Sequence, residues 1–180
     1  MRESSCSSAR AGLPFCPMDA RPASESCSIL VRWMGVTDAN NAGFVHGGTV
    51  MKMCDEVAGI AAIRHSRCRV VTAGADRMVF EHPVNVGDLL HVSAMVNAAW
   101  RTSMEVGVRV EAENPRTGEI RHTNSAYFTM VAVDGDGRPV EVPALIAESP
   151  EEVRREQEAQ LRRANRLAER EQILGQRQAR

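Results

Sequence analysis

Four long strand-like runs follow one apolar segment, and this order constrains the fold of the 180-residue chain more than any other feature. The apolar segment, Thr49–His65, contains no proline and few strongly polar residues, so it predicts one helix buried on nearly its whole circumference. The strand-like runs are Arg69–Phe80, Leu89–Ala99, Ser103–Glu113 and Ile120–Val133. Strands this long in a small domain have to curl around something. We therefore expect an α+β domain in which a long curved antiparallel sheet wraps around one buried central helix.

The composition divides the chain into three parts. Residues 1–27 are rich in Ser, Cys, Pro and Arg without a period, so we expect a flexible N-terminal extension. Residues 28–148 hold the helix and the strands and form a single domain. Residues 149–180 contain eight Arg and six Glu and begin with Ser-Pro-Glu-Glu, which predicts a charged C-terminal helix. That helix either lies in solvent or contacts a partner.

Charge and hydropathy exclude several classes of partner. The net charge of −1 gives the chain no overall attraction for nucleic acid or membranes. No apolar run approaches the roughly 20 residues of a membrane helix. The N-terminus lacks the apolar core of a signal peptide, so we expect a cytoplasmic protein. The five cysteines show neither CxxC nor zinc-finger spacing, so we predict no metal site.

The segment around the start of the predicted helix carries the groups best suited to chemistry. Gly47 and Gly48 precede the helix, where amides without partners and the helix dipole favour a developing oxyanion. Asp55 lies two turns further on, in a run expected to be buried, where a carboxylate needs a partner or a function such as general base. Each group, like Asn40 in the preceding turn and His46 beside the glycines, also has an ordinary structural role.

Taken together, these groups and their neighbours in sequence resemble a known protein family. The stretch Asn40–Gly59, NNAGFVHGGTVMKMCDEVAG, closely resembles the acyl-CoA thioesterases of the hotdog fold, in the acyl-CoA hydrolase group that includes a tandem-domain brain enzyme and single-domain bacterial relatives. Further similarity lies in Val70–Ala73, Met78–Val84, Gly87–Asp88, Thr102–Val106 and Asn124–Phe128. The similarity covers about residues 29–143 and leaves out most of both tails.

The resemblance implies a hotdog domain that hydrolyses fatty acyl-CoA to free acid and CoA, with no cofactor beyond the CoA of the substrate. It implies a homodimer with a continuous sheet and leaves open a hexamer built as a trimer of dimers. The functional residues of the family fall on Asn40 and Asp55. In the tandem enzyme these two come from different domains, so we expect two composite sites per homodimer, each with Asn40 of one chain and Asp55 of the other.

The implied reaction places the thioester carbonyl over the start of the central helix. The amides of Gly47 and Gly48 would form the oxyanion hole, Asn40 would orient the water or the carbonyl, and Asp55 would act as general base or as a nucleophile that forms an anhydride. The candidate substrate-binding residues are His46 and, for the CoA phosphates, the turn formed by Arg101, Thr102 and Ser103. Two alternatives stay open: a non-catalytic acyl-CoA-binding hotdog module, and a hotdog enoyl-CoA hydratase or dehydratase that uses His46.

Overall fold

The structure is a computed structural model that describes residues 19–178, so predictions on residues 1–18, 179 and 180 lie outside the described residues. Its elements are β1 (Arg21–Pro22), β2 (Ser28–Trp33), α1 (Gly47–Ser66), β3 (Arg69–Ala75), β4 (Leu89–Ala99), β5 (Ser103–Glu113), β6 (Ile120–Val133), β7 (Leu145–Ile146) and α2 (Pro150–Gln178). Short 3-10 turns occupy Ala23–Ser26 and Val36–Asp38. No helix among the described residues is long and apolar enough to cross a lipid bilayer.

Five strands form one antiparallel sheet in the order β2-β4-β5-β6-β3, with β2 and β3 at its edges. The sheet curls around α1, and the predicted α+β architecture with one central helix is confirmed. Strands β1 and β7 form a separate parallel pair. Apolar side chains alternate along the long strands because one face of the sheet packs on α1 and the other does not.

One face of α1 is buried and the other is bare. Val50, Met53, Cys54, Val57 and Ala61 pack into the core, in contact with the inward side chains of the sheet. On the opposite face the side chains of Met51, Ile60 and Ile63 stay 44–48% exposed. The expected burial on nearly the whole circumference is therefore wrong for a single chain, because the sheet covers only one side of the helix.

Strand β3 ends at Ala75, five residues before the predicted end at Phe80. Beyond it the chain keeps two isolated backbone bonds to β6, in which Asp76 N–H donates to Tyr127 and Glu81 N–H donates to Thr123, both at 2.9 Å. The regular ladder stops because this segment bends to bring Phe80 against Gly47 at the start of α1.

Two side chains within residues 21–26 are buried, in contrast to the flexible extension expected there. Ala23 is 1% exposed and Ser26 is 0% exposed. The Ser26 hydroxyl accepts a hydrogen bond from Val96 N–H at 2.9 Å and donates one to Ala23 O at 2.6 Å. These bonds fix the turn to the backbone of β4, so the ordered part of the chain starts before Ser28.

The predicted C-terminal helix is confirmed as α2, and it begins at the expected residues. Ser149 and Glu152 form a capping box, in which each side chain accepts a hydrogen bond from the other's backbone N–H. The first half of α2 lies on the outer face of the sheet, where Arg162 binds the buried Glu105 and stacks 3.7 Å from the centre of the Tyr127 ring. Residues 167–177 of the helix are exposed, including Leu167 and Leu174.

Candidate active site

His46 caps the start of α1. Its Nδ1 accepts a hydrogen bond from Gly48 N–H at 2.9 Å, so the neutral ring carries its proton on Nε2. A side chain at position 48 would place Cβ 3.0 Å from this Nδ1, which explains the second glycine. Gly47 N–H has no acceptor among residues 19–178. The expected pair of free amides is therefore reduced to one, because His46 already binds the amide of Gly48.

Asn40 holds the loop that precedes α1. Its Oδ1 accepts hydrogen bonds from Ala42 N–H at 2.9 Å and from Phe44 N–H at 3.2 Å, as Asn side chains do in turns. Its backbone N–H also donates to Phe44 O at 2.7 Å. The side-chain amide NH₂ has no partner within the described part of the chain. Asn40 therefore has one end committed to the loop and a donor left for a bound molecule.

Asp55 lies on the bare face of α1 and is exposed, in contrast to the buried setting predicted for it. Its Oδ1 accepts a hydrogen bond from Thr72 Oγ1 of β3 at 2.5 Å. Thr72 faces α1 from the edge strand, and its hydroxyl also lies 3.5 Å from Met130 Sδ. One carboxylate oxygen of Asp55 is thus fixed by the sheet and the other stays available, at the surface that the single chain leaves uncovered.

The structure does not bring Asp55 and the free amide of Gly47 of one chain together. They are eight residues apart on the same helix, which corresponds to roughly 12 Å along its axis. A donor in an oxyanion hole must lie about 3 Å from the oxygen that it stabilises. A base that reaches the same carbonyl directly or through one water is likewise close to it. The Gly47 amide and the Asp55 carboxylate of a single chain therefore cannot serve one thioester group.

The candidate CoA-binding turn lies at the far end of the sheet. Arg101 and Thr102 lie between β4 and β5, Ser103 is the first residue of β5, and Arg101 O accepts from Val142 N–H beside the end of α1. The start of α1 lies at the opposite end, where Val45 N–H donates to Val84 O. This turn and Gly47 are therefore separate within one chain, and its binding of CoA phosphates stays a prediction.

Cys54 is the thiol nearest to Asp55 in sequence, and it lies on the other side of the helix. Burial raises the pKa of Cys54 to about 12, and the neighbouring side chain of the buried Asn124 only partly opposes this rise. A thiol in this setting stays protonated and is a poor nucleophile. Cys54 is therefore a poor candidate for the nucleophile of this region.

A cavity of about 340 Å³ lies elsewhere, between the outer face of the sheet and the start of α2. Its lining includes Asn97, Arg109, Tyr127 and Arg154 but neither Asp55 nor Asn40. The sheet separates this cavity from α1. It is therefore not the place where Asp55 could meet a thioester.

Thr72 is a candidate functional residue that was not predicted from the sequence pattern. The signal was present, since Thr72 lies within Val70–Ala73, one of the stretches that carry the resemblance. A threonine in a β-rich run reads as an ordinary strand residue, and its contact with Asp55 spans 17 positions of sequence. Only the register of β3 against β6 shows that it faces α1.

Comparisons with known proteins show which family this chain resembles. A sequence model of the thioesterase superfamily matches residues 42–119. The cytosolic acyl coenzyme A thioester hydrolase of Rattus norvegicus is 35% identical over 147 residues, which are 81% of this chain and 39% of that longer protein. An apo-hexameric acyl-CoA thioesterase crystal structure superposes with a TM-score of 0.81 at 38% identity, over 84% of this chain and 97% of that one.

A second solved structure adds information about the site. The acyl-CoA hydrolase of Staphylococcus aureus, solved with butyryl coenzyme A, coenzyme A and coenzyme A disulfide, has a TM-score of 0.76 at 32% identity, over 86% of this chain and 96% of that one. Three mutants of that enzyme carry alanine at an asparagine, an aspartate and a threonine, which are separated by 15 and 17 positions. Asn40, Asp55 and Thr72 have the same two spacings.

Proposed function

Because this chain belongs to the thioesterase superfamily and is an acyl-CoA thioester hydrolase, we propose that Asp55 activates the water that attacks the thioester. The observation that carries this proposal is the 2.5 Å hydrogen bond between Thr72 and Asp55. Support comes from Asn40, Asp55 and Thr72, which repeat the spacing of the three residues substituted in the Staphylococcus aureus enzyme.

In the proposed reaction Thr72 fixes the carboxylate by its bond to Oδ1, and Oδ2 accepts a proton from water. The water oxygen forms a bond to the carbonyl carbon and gives a tetrahedral oxyanion. When the intermediate collapses, the carbon–sulfur bond breaks and the electron pair leaves with the sulfur of CoA. The proton held by Asp55 then passes to the thiolate or to solvent, which restores the carboxylate.

The oxyanion is stabilised by Gly47 N–H, the amide at the start of α1 that has no partner in the described chain. Asn40 donates through its side-chain NH₂ to the carbonyl or to the water, since its Oδ1 is held by the loop. Gly48 serves the site indirectly by binding His46. His46 presents Nε2–H and remains our candidate contact to the substrate.

The site forms between two chains, with Asn40 and Gly47 from one and Asp55 and Thr72 from the other. The roughly 12 Å between the Gly47 and Asp55 positions along one helix supports this sharing. The bare apolar residues around Asp55, namely Met51, Ile60 and Ile63, would be covered by the second copy. The exposed edge of β3 offers backbone groups to pair with that copy and to continue the sheet.

The proposed substrate is a fatty acyl-CoA, bound without a further cofactor, and Arg101, Thr102 and Ser103 are kept as candidates for the CoA phosphates. A hexamer agrees with the hexameric thioesterases of similar fold. A cytoplasmic site of action is supported by the name of the cytosolic rat relative.

The function is tested with a panel of saturated acyl-CoAs and a thiol-reactive dye that reports free CoA. We expect turnover by the wild-type protein and a loss of kcat of about 100- to 10,000-fold for Asp55→Asn. Glu56→Gln is the matched control, because Glu56 is the next residue on the same exposed helix face and pairs with Lys52 at 3.7 Å. Its kcat should stay within about twofold of wild type.

The same panel separates the rival functions. Binding of acyl-CoA with no release of CoA would indicate a non-catalytic module. Hydration of an enoyl-CoA with the thioester intact would indicate a hydratase. Near-native kcat for Asp55→Asn would refute the assignment of the base.

A further inference from the structure

Arg166 of α2 binds two carboxylates that belong to different parts of the sheet. Its Nη1 donates to Asp76 Oδ2 at 2.6 Å and to Glu105 Oε2 at 3.2 Å. Glu105 lies in β5 and its side chain is completely buried, whereas Asp76 directly follows the edge strand β3. Since β6 lies between these two strands, Arg166 ties the end of β3 to the centre of the sheet across β6.

Strand β3 contains a register shift between Thr72 and Gly74. In a regular strand the side chains at positions 72 and 76 would point to the same face, because the period is two. Here Thr72 points inward and bonds Asp55, while Asp76 points outward and bonds Arg166. The bulge at Ala73 therefore changes the face to which the following side chains point, as bulges near active sites do. As a result, Thr72 contacts α1 on one face of the sheet and Asp76 contacts α2 on the other.

The two carboxylates that Arg166 binds lie near this bulge in the pairing pattern of the sheet. Glu105 is paired with Thr129 of β6, and Thr129 is paired with Gly74 of β3, so the three residues form one row across the sheet. Arg166 thus anchors the chain at Asp76, two residues beyond this row and directly after the last residue of β3. The ladder between β3 and β6 shifts register between Thr72 and Gly74, so a side-chain anchor just beyond the shift restrains the bulge and the direction of the Thr72 hydroxyl.

We infer that Arg166 is a positioning residue for thioester hydrolysis: it holds Asp76 so that the bulge keeps Thr72 directed at Asp55. The inference rests on the proposed function, in which Thr72 orients Asp55. It gives α2 a role in the reaction, although no hydrogen bond joins this helix to Asp55 or Thr72 among the described residues.

The first test compares kcat and KM of three α2 variants with the wild-type enzyme. Arg166→Gln removes the anchor, while Glu105 keeps its bonds from Arg162 at 3.0 and 2.7 Å, so the helix stays docked. We expect kcat to fall about fivefold or more with KM unchanged, since small misplacements of catalytic groups are costly. Arg166→Lys should recover part of kcat. Arg170→Gln, exposed on the same helix, is the matched control and should change neither constant.

The decisive test places Arg166→Gln in the Thr72→Ala background. If Arg166 acts through Thr72, kcat of the Thr72→Ala enzyme changes by less than about twofold. An equal loss in both backgrounds, or an unchanged kcat for folded Arg166→Gln alone, would overturn the inference. Should Arg166→Gln fail to fold, Asp76→Asn is judged by the same criterion. A Thr72→Ala or Asp55→Asn enzyme with wild-type kcat would instead overturn the proposed function.

Discussion

Thr72 Oγ1 lies 2.5 Å from Asp55 Oδ1, which joins the edge strand β3 to the exposed face of the central helix. This is the only side-chain hydrogen bond that Asp55 makes within residues 19–178. The bond fixes one oxygen of a carboxylate that would otherwise rotate freely in solvent. The Thr72 hydroxyl thus orients the exposed carboxylate of Asp55.

Removal of the Thr72 hydroxyl should therefore slow turnover without unfolding the protein. We expect Thr72→Ala to lower kcat about 10- to 100-fold, because Asp55 loses its orientation. Thr72→Ser keeps the hydroxyl and is the control, with kcat near that of wild type. Steady-state release of CoA measures both variants, and equal kcat values for Ala and Ser would contradict the role of the hydroxyl.

One substitution of Asn40 tests its side-chain NH₂ separately from its Oδ1. Asn40→Asp keeps an oxygen for the amides of Ala42 and Phe44 and removes only the NH₂ donor. We expect the free energy of unfolding to stay within about 0.5 kcal/mol of wild type while kcat/KM falls about tenfold or more. Asn40→Ala loses both ends, so it should be less stable as well as less active. Urea denaturation and CoA release give the two quantities, and an active Asn40→Asp enzyme would exclude the donor role.

Loss of the N-cap of α1 should lower the free energy of unfolding. His46→Ala removes the acceptor of Gly48 N–H, and loss of an N-cap costs about 1 kcal/mol. His46→Asn keeps a cap acceptor and should restore most of that stability. The midpoints of urea unfolding decide between them, and equal midpoints for Ala, Asn and wild type would show that the cap contributes nothing.

The long periodic elements could be predicted from the sequence, and so could the candidate site segment Asn40–Gly59. The contacts between elements could not. Strands β4, β5 and β6 begin and end at the predicted residues, because alternation and turn chemistry are local signals. The exposure of Asp55 was missed, since an apolar run reads as buried whether the covering surface is its own sheet or a second copy. The bulge at Ala73 is set by pairing with β6, and no local pattern marks it.

His65 should make stability depend on pH. The residue is completely buried, its ring Nε2 binds Pro143 O at 3.0 Å, and its Nδ1 has no partner. Burial lowers the pKa of His65 below the 6.5 of a free histidine, and the bond to Pro143 only partly opposes this.

The sign of the effect follows from proton binding. Below about pH 6.5 the unfolded chain takes up a proton at this position while folded His65 stays neutral, so the free energy of unfolding decreases as pH falls toward the lowered folded pKa. Urea unfolding at pH 7.5 and 5.5 should show a smaller decrease for His65→Gln than for wild type. The same decrease in both proteins would contradict this origin.

The shared site is tested most directly by mixing two inactive variants, Asn40→Ala and Asp55→Ala, under conditions that exchange subunits. Half of the dimers in an equal mixture carry one chain of each kind, and each of these has one intact composite site. The account predicts recovery of about a quarter of the wild-type CoA release per chain. Continued inactivity, with mixed assemblies verified by native mass spectrometry, would contradict it.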